Sequence, residues 1–125
     1  MTITRIGILA LTLATAIAAP AFAHHSFAAF DDSRTVRLEG TVKRFDWTNP
    51  HSRLFLEVNS LSDQAEEWEI ELPSTGVLAR QGWRPDYLKA GNKMAVRVYP
   101  VKNGQMGGRL QSFLCGNNVF CAVGR

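Results

Sequence analysis

The sequence has few of the features that mark common enzymes and nucleic-acid-binding proteins. It contains only two cysteines and three histidines, and it has no Gly-x-Ser-x-Gly, phosphate-binding loop or His-Glu-x-x-His motif. Fourteen basic residues against eleven acidic residues give a net charge of +3, and the basic residues are scattered along the chain. No nucleic-acid partner is therefore expected.

Long apolar segments are also absent except at the N-terminus, where the pattern predicts a cleaved signal peptide over residues 1–23. Arg5 supplies a positive charge, an apolar stretch follows, and Ala21-Phe22-Ala23 is an A-x-A cleavage site. The stretch is shorter than the roughly 20 residues that span a bilayer, so no membrane span is expected after processing. An uncleaved anchor is the alternative. We expect a periplasmic or secreted protein of a Gram-negative type of bacterium, with a single domain over residues 24–125.

The two cysteines, Cys115 and Cys121, lie close together near the C-terminus. In an oxidising compartment the simplest interpretation is one disulfide that closes a short loop. Gly116, Asn117 and Asn118 between them are turn formers, so the chain can double back. A reactive thiol pair is the alternative, but it lacks a C-x-x-C spacing and a nearby positive charge.

The mature chain is predicted to contain five short strands and one helix. Apolar and polar residues alternate with a period of two over five segments, namely Thr35–Trp47, Leu54–Val58, Trp68–Leu72, Met94–Val98 and Leu110–Leu114. Gly40 inside the first strand suggests a bulge or a bend, as at a barrel corner. Ser74 or Thr75 is expected to cap the helix, and Gly82 to end it. Trp83 is then expected to fold back onto the core.

The order β-β-β-α-β-β indicates the fold class. A helix between the third and fourth of five antiparallel strands is typical of the OB-fold, a small Greek-key barrel. An open five-stranded sheet or sandwich with one helix is the alternative. Closure removes the sheet edges that a small secreted protein must otherwise protect. We therefore predict a mainly β protein, with a small five-stranded OB-like barrel following the signal peptide.

The histidines carry the most distinctive chemistry. Cleavage after Ala23 would leave His24 with a free α-amine, and this amine and the His24 ring can chelate one metal ion, with His25 adding a second imidazole. Copper(II) prefers tetragonal nitrogen ligands and heads the divalent affinity order. His51 is a further imidazole if the N-terminal segment folds onto its turn. The predicted copper site is thus His24, His25 and His51; the alternative is two solvated histidines and a His51 that fixes its turn.

Aromatic residues and carboxylates are assigned mainly structural roles. Phe27 and Phe30 are expected to bury against the barrel and tether the N-terminus. Trp68 and Trp83 are expected in the core, whereas Trp47 is expected to be half exposed beside the turn. One set of carboxylates alternates along the third strand and is expected to form a solvated face: Glu67, Glu69 and Glu71.

Several motifs taken together resemble a family of small secreted bacterial proteins, domain-of-unknown-function family 6152. They are His24-His25-Ser26-Phe27, Phe45-Asp46-Trp47-Thr48-Asn49-Pro50-His51, Trp68-Glu69-Ile70-Glu71 and Leu78-Ala79-Arg80-Gln81-Gly82-Trp83. The resemblance extends from His24 to about Leu110 and implies export and a small β-rich domain. It implies no established activity. The family pattern has no obvious cysteine pair, so Cys115 and Cys121 receive no family role.

Three functional hypotheses follow. The first is an exported, non-enzymatic binding protein with copper held by His24, His25 and His51. The second is a metal-free module in which Trp47, Asn49 and His51 bind a periplasmic protein or a small ligand. The third is a copper-dependent oxidative enzyme with an N-terminal histidine brace, which needs a broad substrate face that the sequence does not indicate. An enzyme is therefore not expected.

Overall fold

A computed structural model of the chain describes residues 29–60 and 64–123. The elements in chain order are β1 (Val36–Asp46), β2 (Arg53–Asn59), β3 (Ala65–Glu71), α1 (Thr75–Arg80), β4 (Lys93–Pro100), β5 (Gly107–Gly116) and β6 (Val119–Ala122). The predicted signal peptide lies outside the described residues. None of the helices in the described part of the chain is both long and apolar enough to cross a membrane.

The first five strands form a closed barrel. Neighbours in the order β3-β2-β1-β4-β5 pair antiparallel, and a parallel pairing of β3 with β5 closes the ring. This closure and the single helix between β3 and β4 confirm the predicted OB-like barrel and exclude the open sheet. A sixth strand, β6, was not predicted; it pairs antiparallel with β5.

Gly40 lies where β1 is paired on both of its edges. It is opposite Val58 of β2 and Met94 of β4. A Cβ atom at this position would lie 2.2 Å from the carbonyl oxygen of Glu57, so the two backbones approach more closely than any side chain allows. The register shift in β1 lies slightly further on, between Val42 and Arg44.

The apolar residues of the strands fill the barrel, as the alternation predicts. Leu54, Leu56 and Ile70 are fully buried, and α1 buries one residue in the same core, Leu78. Helix α1 begins as predicted, because the Ser74 hydroxyl accepts a hydrogen bond from the amide of Val77.

The end of α1 also follows the prediction. Gly82 adopts a φ of 85°, a conformation that glycine takes at little steric cost. The chain then reverses, and the amide of Trp83 donates to the Leu78 carbonyl at 3.0 Å. Trp83 is only 3% exposed, which confirms its place in the core.

The C-terminal hairpin is held by the predicted disulfide between Cys115 and Cys121, whose Cα atoms are 5.8 Å apart. The turn between them returns the chain along β5, with Asn118 at a φ of 57°. Strand β6 is only four residues long and contains a cysteine. It is too short for alternation to mark it, which is why the sequence predicted the turn but not the strand.

Candidate functional site

A cavity of about 550 Å³ lies beside the barrel between the end of β3 and the start of the segment that follows β6. Its walls are largely apolar and include Leu72, Val77, Leu110 and Val123. Two acidic residues, one histidine and one arginine also line it, namely Asp32, Glu71, His51 and Arg109. The volume is within the range of about 300–1,000 Å³ typical of small-molecule sites.

The cavity exists because β5 changes its neighbour along its length. As far as Arg109, the edge of β5 is paired with β3. From Ser112 onward the strand is paired with β6. Between the two, the carbonyl of Gln111 accepts a hydrogen bond from the amide of Val123 at 3.3 Å. Since β3 ends at Glu71 and the chain leaves for α1, a gap remains between β3 and β6.

Arg109 is fixed at the wall of this cavity. One of its terminal nitrogens donates to the Asp32 carboxylate at 2.6 Å. Its guanidinium carbon lies 5.5 Å from the ring centre of Phe30 and 5.1 Å from that of Tyr99. Its side chain is 19% exposed. The guanidinium is therefore already matched by one carboxylate and two aromatic rings.

Glu71 has no comparable partner. The His51 Nδ1 lies 3.6 Å from the Glu71 Oε1, longer than a hydrogen bond, and this contact is an ion pair only when the imidazole is protonated. Within residues 29–60 and 64–123, no lysine or arginine forms an ion pair with Glu71, whereas Glu69 pairs with Arg53. Only 18% of the Glu71 side chain is exposed. Glu67 and Glu69 are exposed as predicted, but Glu71 faces the cavity.

The turn before β2 presents His51 to the cavity. The side-chain oxygen of Asn49 accepts hydrogen bonds from the Thr75 amide at 3.0 Å and the Thr75 hydroxyl at 2.9 Å, so it ties the turn to α1. The Asn49-Pro50 peptide bond is cis. The Thr48 hydroxyl donates to the His51 carbonyl at 3.0 Å. These contacts fix the backbone at His51 and leave its imidazole 45% exposed.

Of the three residues predicted to bind a ligand, only His51 lines the cavity. The side-chain oxygen of Asn49 accepts its hydrogen bonds from Thr75, the first residue of α1. Trp47 packs edge-on against Phe45, with ring centres 5.9 Å apart, and is partly buried against the core.

The N-terminal segment is tethered as predicted. Phe30 is 4% exposed and forms a bridge with Val101, and the amide of Lys102 donates to the Ala29 carbonyl at 3.0 Å. Followed backward, the segment runs from Asp32 at the cavity to Ala29 beside Lys102, at the start of the β4–β5 hairpin. Phe27, His24 and His25 lie outside the described residues.

No metal site is formed by the part of the chain that the structure describes. No group of three or more histidine, cysteine or acidic side chains there could hold an ion. The contribution of His51 to a copper site with His24 and His25 stays a prediction.

Asp31 stabilises the turn that leads from this segment into β1. The Ser33 hydroxyl and the Ser33 amide both donate to its carboxylate, at 2.5 and 3.1 Å, and Arg34 forms an ion pair with it. These contacts, led by the Ser33 hydroxyl, hold the pKa of the Asp31 carboxyl below its ordinary value of 3.8.

The sequence did not identify four residues of the cavity as belonging to one site: Asp32, Glu71, Arg109 and Val123. They come from four separate segments, and Asp32 and Arg109 alone are 77 positions apart. The sequence around each of them does not differ from that around an ordinary solvated or buried residue, so it does not indicate a ligand site. Only their juxtaposition across the β3–β5 closure marks them.

Comparison with known proteins gives one result. Residues 12–111 match a protein family described as a family of unknown function, DUF6152. The match confirms the family resemblance, and it ends before β6. No curated protein and no solved structure shows significant similarity to the chain.

Proposed function

This chain belongs to DUF6152, a family of unknown function, and we propose that it is an exported, non-enzymatic protein that binds a small organic molecule in the cavity. The ligand has an apolar body and one positively charged group. The observation that carries this proposal is the Glu71 carboxylate, which faces a largely apolar cavity without a lysine or arginine partner among the described residues.

The charges at the cavity favour a cation. Asp32 and Glu71 are acidic, whereas Arg109 is the one permanently charged base among the described wall residues. Arg109 is matched by Asp32 at 2.6 Å. This leaves the charge of Glu71 to be balanced by His51 or by a ligand. A carboxylate in apolar surroundings is stabilised strongly by a cation that replaces its lost hydration.

The apolar walls favour a hydrocarbon body. Leu110 belongs to β5 and Val77 to α1, and Leu72 directly follows β3 and is buried in the barrel core. Because such a cavity is preformed, a ligand binds without the unfavourable entropy of ordering loops. Each CH₂ group that leaves water for this surface contributes about 0.8 kcal/mol.

Two six-carbon probes test the proposal, n-hexylamine and 1-hexanol, titrated at pH 7 and followed by the amide shifts of the cavity residues. We expect hexylamine to bind about tenfold more tightly, as for a hydrogen bond to a charged group. Glu71→Gln should remove that preference. Glu67→Gln is the matched control, because it makes the same change on the exposed part of β3. Equal binding of both probes to the unmodified protein would exclude the cation site.

A second candidate function is copper binding at the mature N-terminus. It is supported by the burial of Phe30 and its bridge to Val101, which hold the chain a few residues after His25. A chelate beginning at His24 would therefore be attached to the barrel at a fixed point. Its ligands are the amine and ring of His24 and the imidazole of His25, with His51 as a further imidazole.

Copper(II) titration of protein that begins at His24 tests this candidate by electron paramagnetic resonance. His24→Ala, or one extra residue before His24, should weaken binding and change the spectrum. His51→Ala separates a chelate that includes His51 from one that does not. An unchanged affinity and spectrum in the first two of these proteins would rule out the N-terminal site. Oxygen consumption by the copper-loaded protein with a reductant would favour the oxidative enzyme instead.

A further inference from the structure

Part of the cavity wall comes from the C-terminal hairpin, outside the region that matches the family. The match ends at residue 111, whereas Ala122 and Val123 both line the cavity. Val123 is 9% exposed and packs against the barrel core. Leu72 and Val77, which follow the end of β3, line the same cavity.

The wall is held in place by contacts made away from the cavity. The Cys115–Cys121 disulfide joins β5 to β6 one residue before Ala122. On β6, Phe120 packs under two guanidinium groups, at 4.1 Å from Arg97 and 5.4 Å from Arg37. Strand β6 pairs with β5 alone among the described strands. Its position is therefore determined by the disulfide, the Phe120 contacts and the short backbone pairing with β5.

We propose that this disulfide-clamped hairpin sets the size of the ligand, and that Val123 is the residue that limits its length. A longer hydrocarbon chain would collide with the Val123 side chain. The backbone of Val123 is held by a hydrogen bond from its amide to the Gln111 carbonyl. The inference rests on the proposed function for its ligand, but the position of the wall can be measured without any ligand.

Ligand size is tested with n-hexylamine and n-octylamine on Val123→Ala. The shortened side chain should raise the octylamine-to-hexylamine affinity ratio about fourfold, the effect of one additional buried CH₂. Val119→Ala is the matched control, because it removes the same atoms from the same hairpin at a side chain that is 57% exposed. Its ratio should equal that of the unmodified protein. An unchanged ratio in Val123→Ala would overturn the assignment.

The clamp is tested by amide hydrogen exchange on the protein after mild reduction and on the Cys115→Ser, Cys121→Ser variant. We expect exchange at the Val123 amide to accelerate at least about tenfold, as hairpin opening becomes easier, with no change at Leu56 in the barrel. Continued protection of Val123 would overturn the inference, and so would equal acceleration at Leu56. If the oxidised protein binds neither amine, the proposed function fails, and the exchange result decides the role of the wall alone.

Discussion

Replacement of Gly40 by alanine tests the closest backbone approach in the barrel. The added Cβ would lie 2.2 Å from the Glu57 carbonyl oxygen and 2.9 Å from its carbon, whereas contacts below 3.0 Å essentially never occur. The two strands must therefore separate by about 0.8 Å, the difference between 3.0 and 2.2 Å. Neither backbone can move freely, because Gly40 is paired with both β2 and β4, and Glu57 is paired with both β1 and β3.

The magnitude follows from two contributions. Overpacking typically destabilises by about 1–3 kcal/mol, and this contact is with backbone rather than with a flexible side chain. Stretching the adjacent β1–β2 hydrogen bonds adds about 1 kcal/mol for each bond lost. We expect Gly40→Ala to lower the free energy of unfolding by about 3–4 kcal/mol. That is a large part of the roughly 5–15 kcal/mol of a typical domain.

Urea unfolding followed by tryptophan fluorescence measures this change. Gly76→Ala is the matched control, because its Cβ would meet only the end of the Arg80 side chain, at 3.8 Å, inside α1. It should raise stability by about 0.5–1 kcal/mol through helix propensity. The reasoning is refuted if Gly40→Ala unfolds within 1 kcal/mol of the unmodified protein with the same dependence on urea.

Three further predictions concern the segments around the cavity. Ser33→Ala should raise the pKa of Asp31 toward 3.8, and the chemical shift of the carboxyl carbon measures this. A carboxyl whose pKa is lowered by folding stabilises the fold above its ordinary pKa, and this stabilisation is lost as the pH falls through the lowered pKa. The free energy of unfolding of the variant should therefore depend less on pH below about 4. An unmoved Asp31 titration contradicts this. Asn49→Ala removes both hydrogen bonds from Thr75 and should lower the free energy of unfolding, measured in urea, by about 1–2 kcal/mol. Thr75→Val keeps the hydrogen bond from the Thr75 amide and should lower it by less. Equal losses in the two variants would contradict a contribution from both hydrogen bonds. Phe30→Ala should lower the free energy of unfolding by about 3 kcal/mol and shift the NMR resonances of the Arg109 side chain. Unshifted resonances would mean that Phe30 does not hold Arg109 in place.

Alternation and turn chemistry predicted most of the barrel because both are local properties. A period of two identifies the buried face of a strand without any knowledge of its partner, and Leu54, Leu56 and Ile70 are buried accordingly. The helix cap at Ser74 and the stop at Gly82 depend on a few neighbouring residues. The disulfide was predictable for the same reason, since its cysteines are separated by only six positions.

The candidate site depended on pairings between distant segments, which local patterns do not encode. Glu69 and Glu71 occupy equivalent positions in the alternation, yet Glu69 pairs with Arg53 at the surface and Glu71 faces the cavity. The difference arises because β3 ends at Glu71 while β5 continues to a second partner.

The sequence by itself determined where the first five strands lie, where the helix begins, and which two cysteines meet, because each of these is settled within a few residues. Only the tertiary structure decided that β3 closes on β5, that β6 fills part of the remaining edge, and that Glu71, Arg109 and Val123 share one cavity. These depend on contacts across the whole barrel, and no single segment carries the information that fixes them.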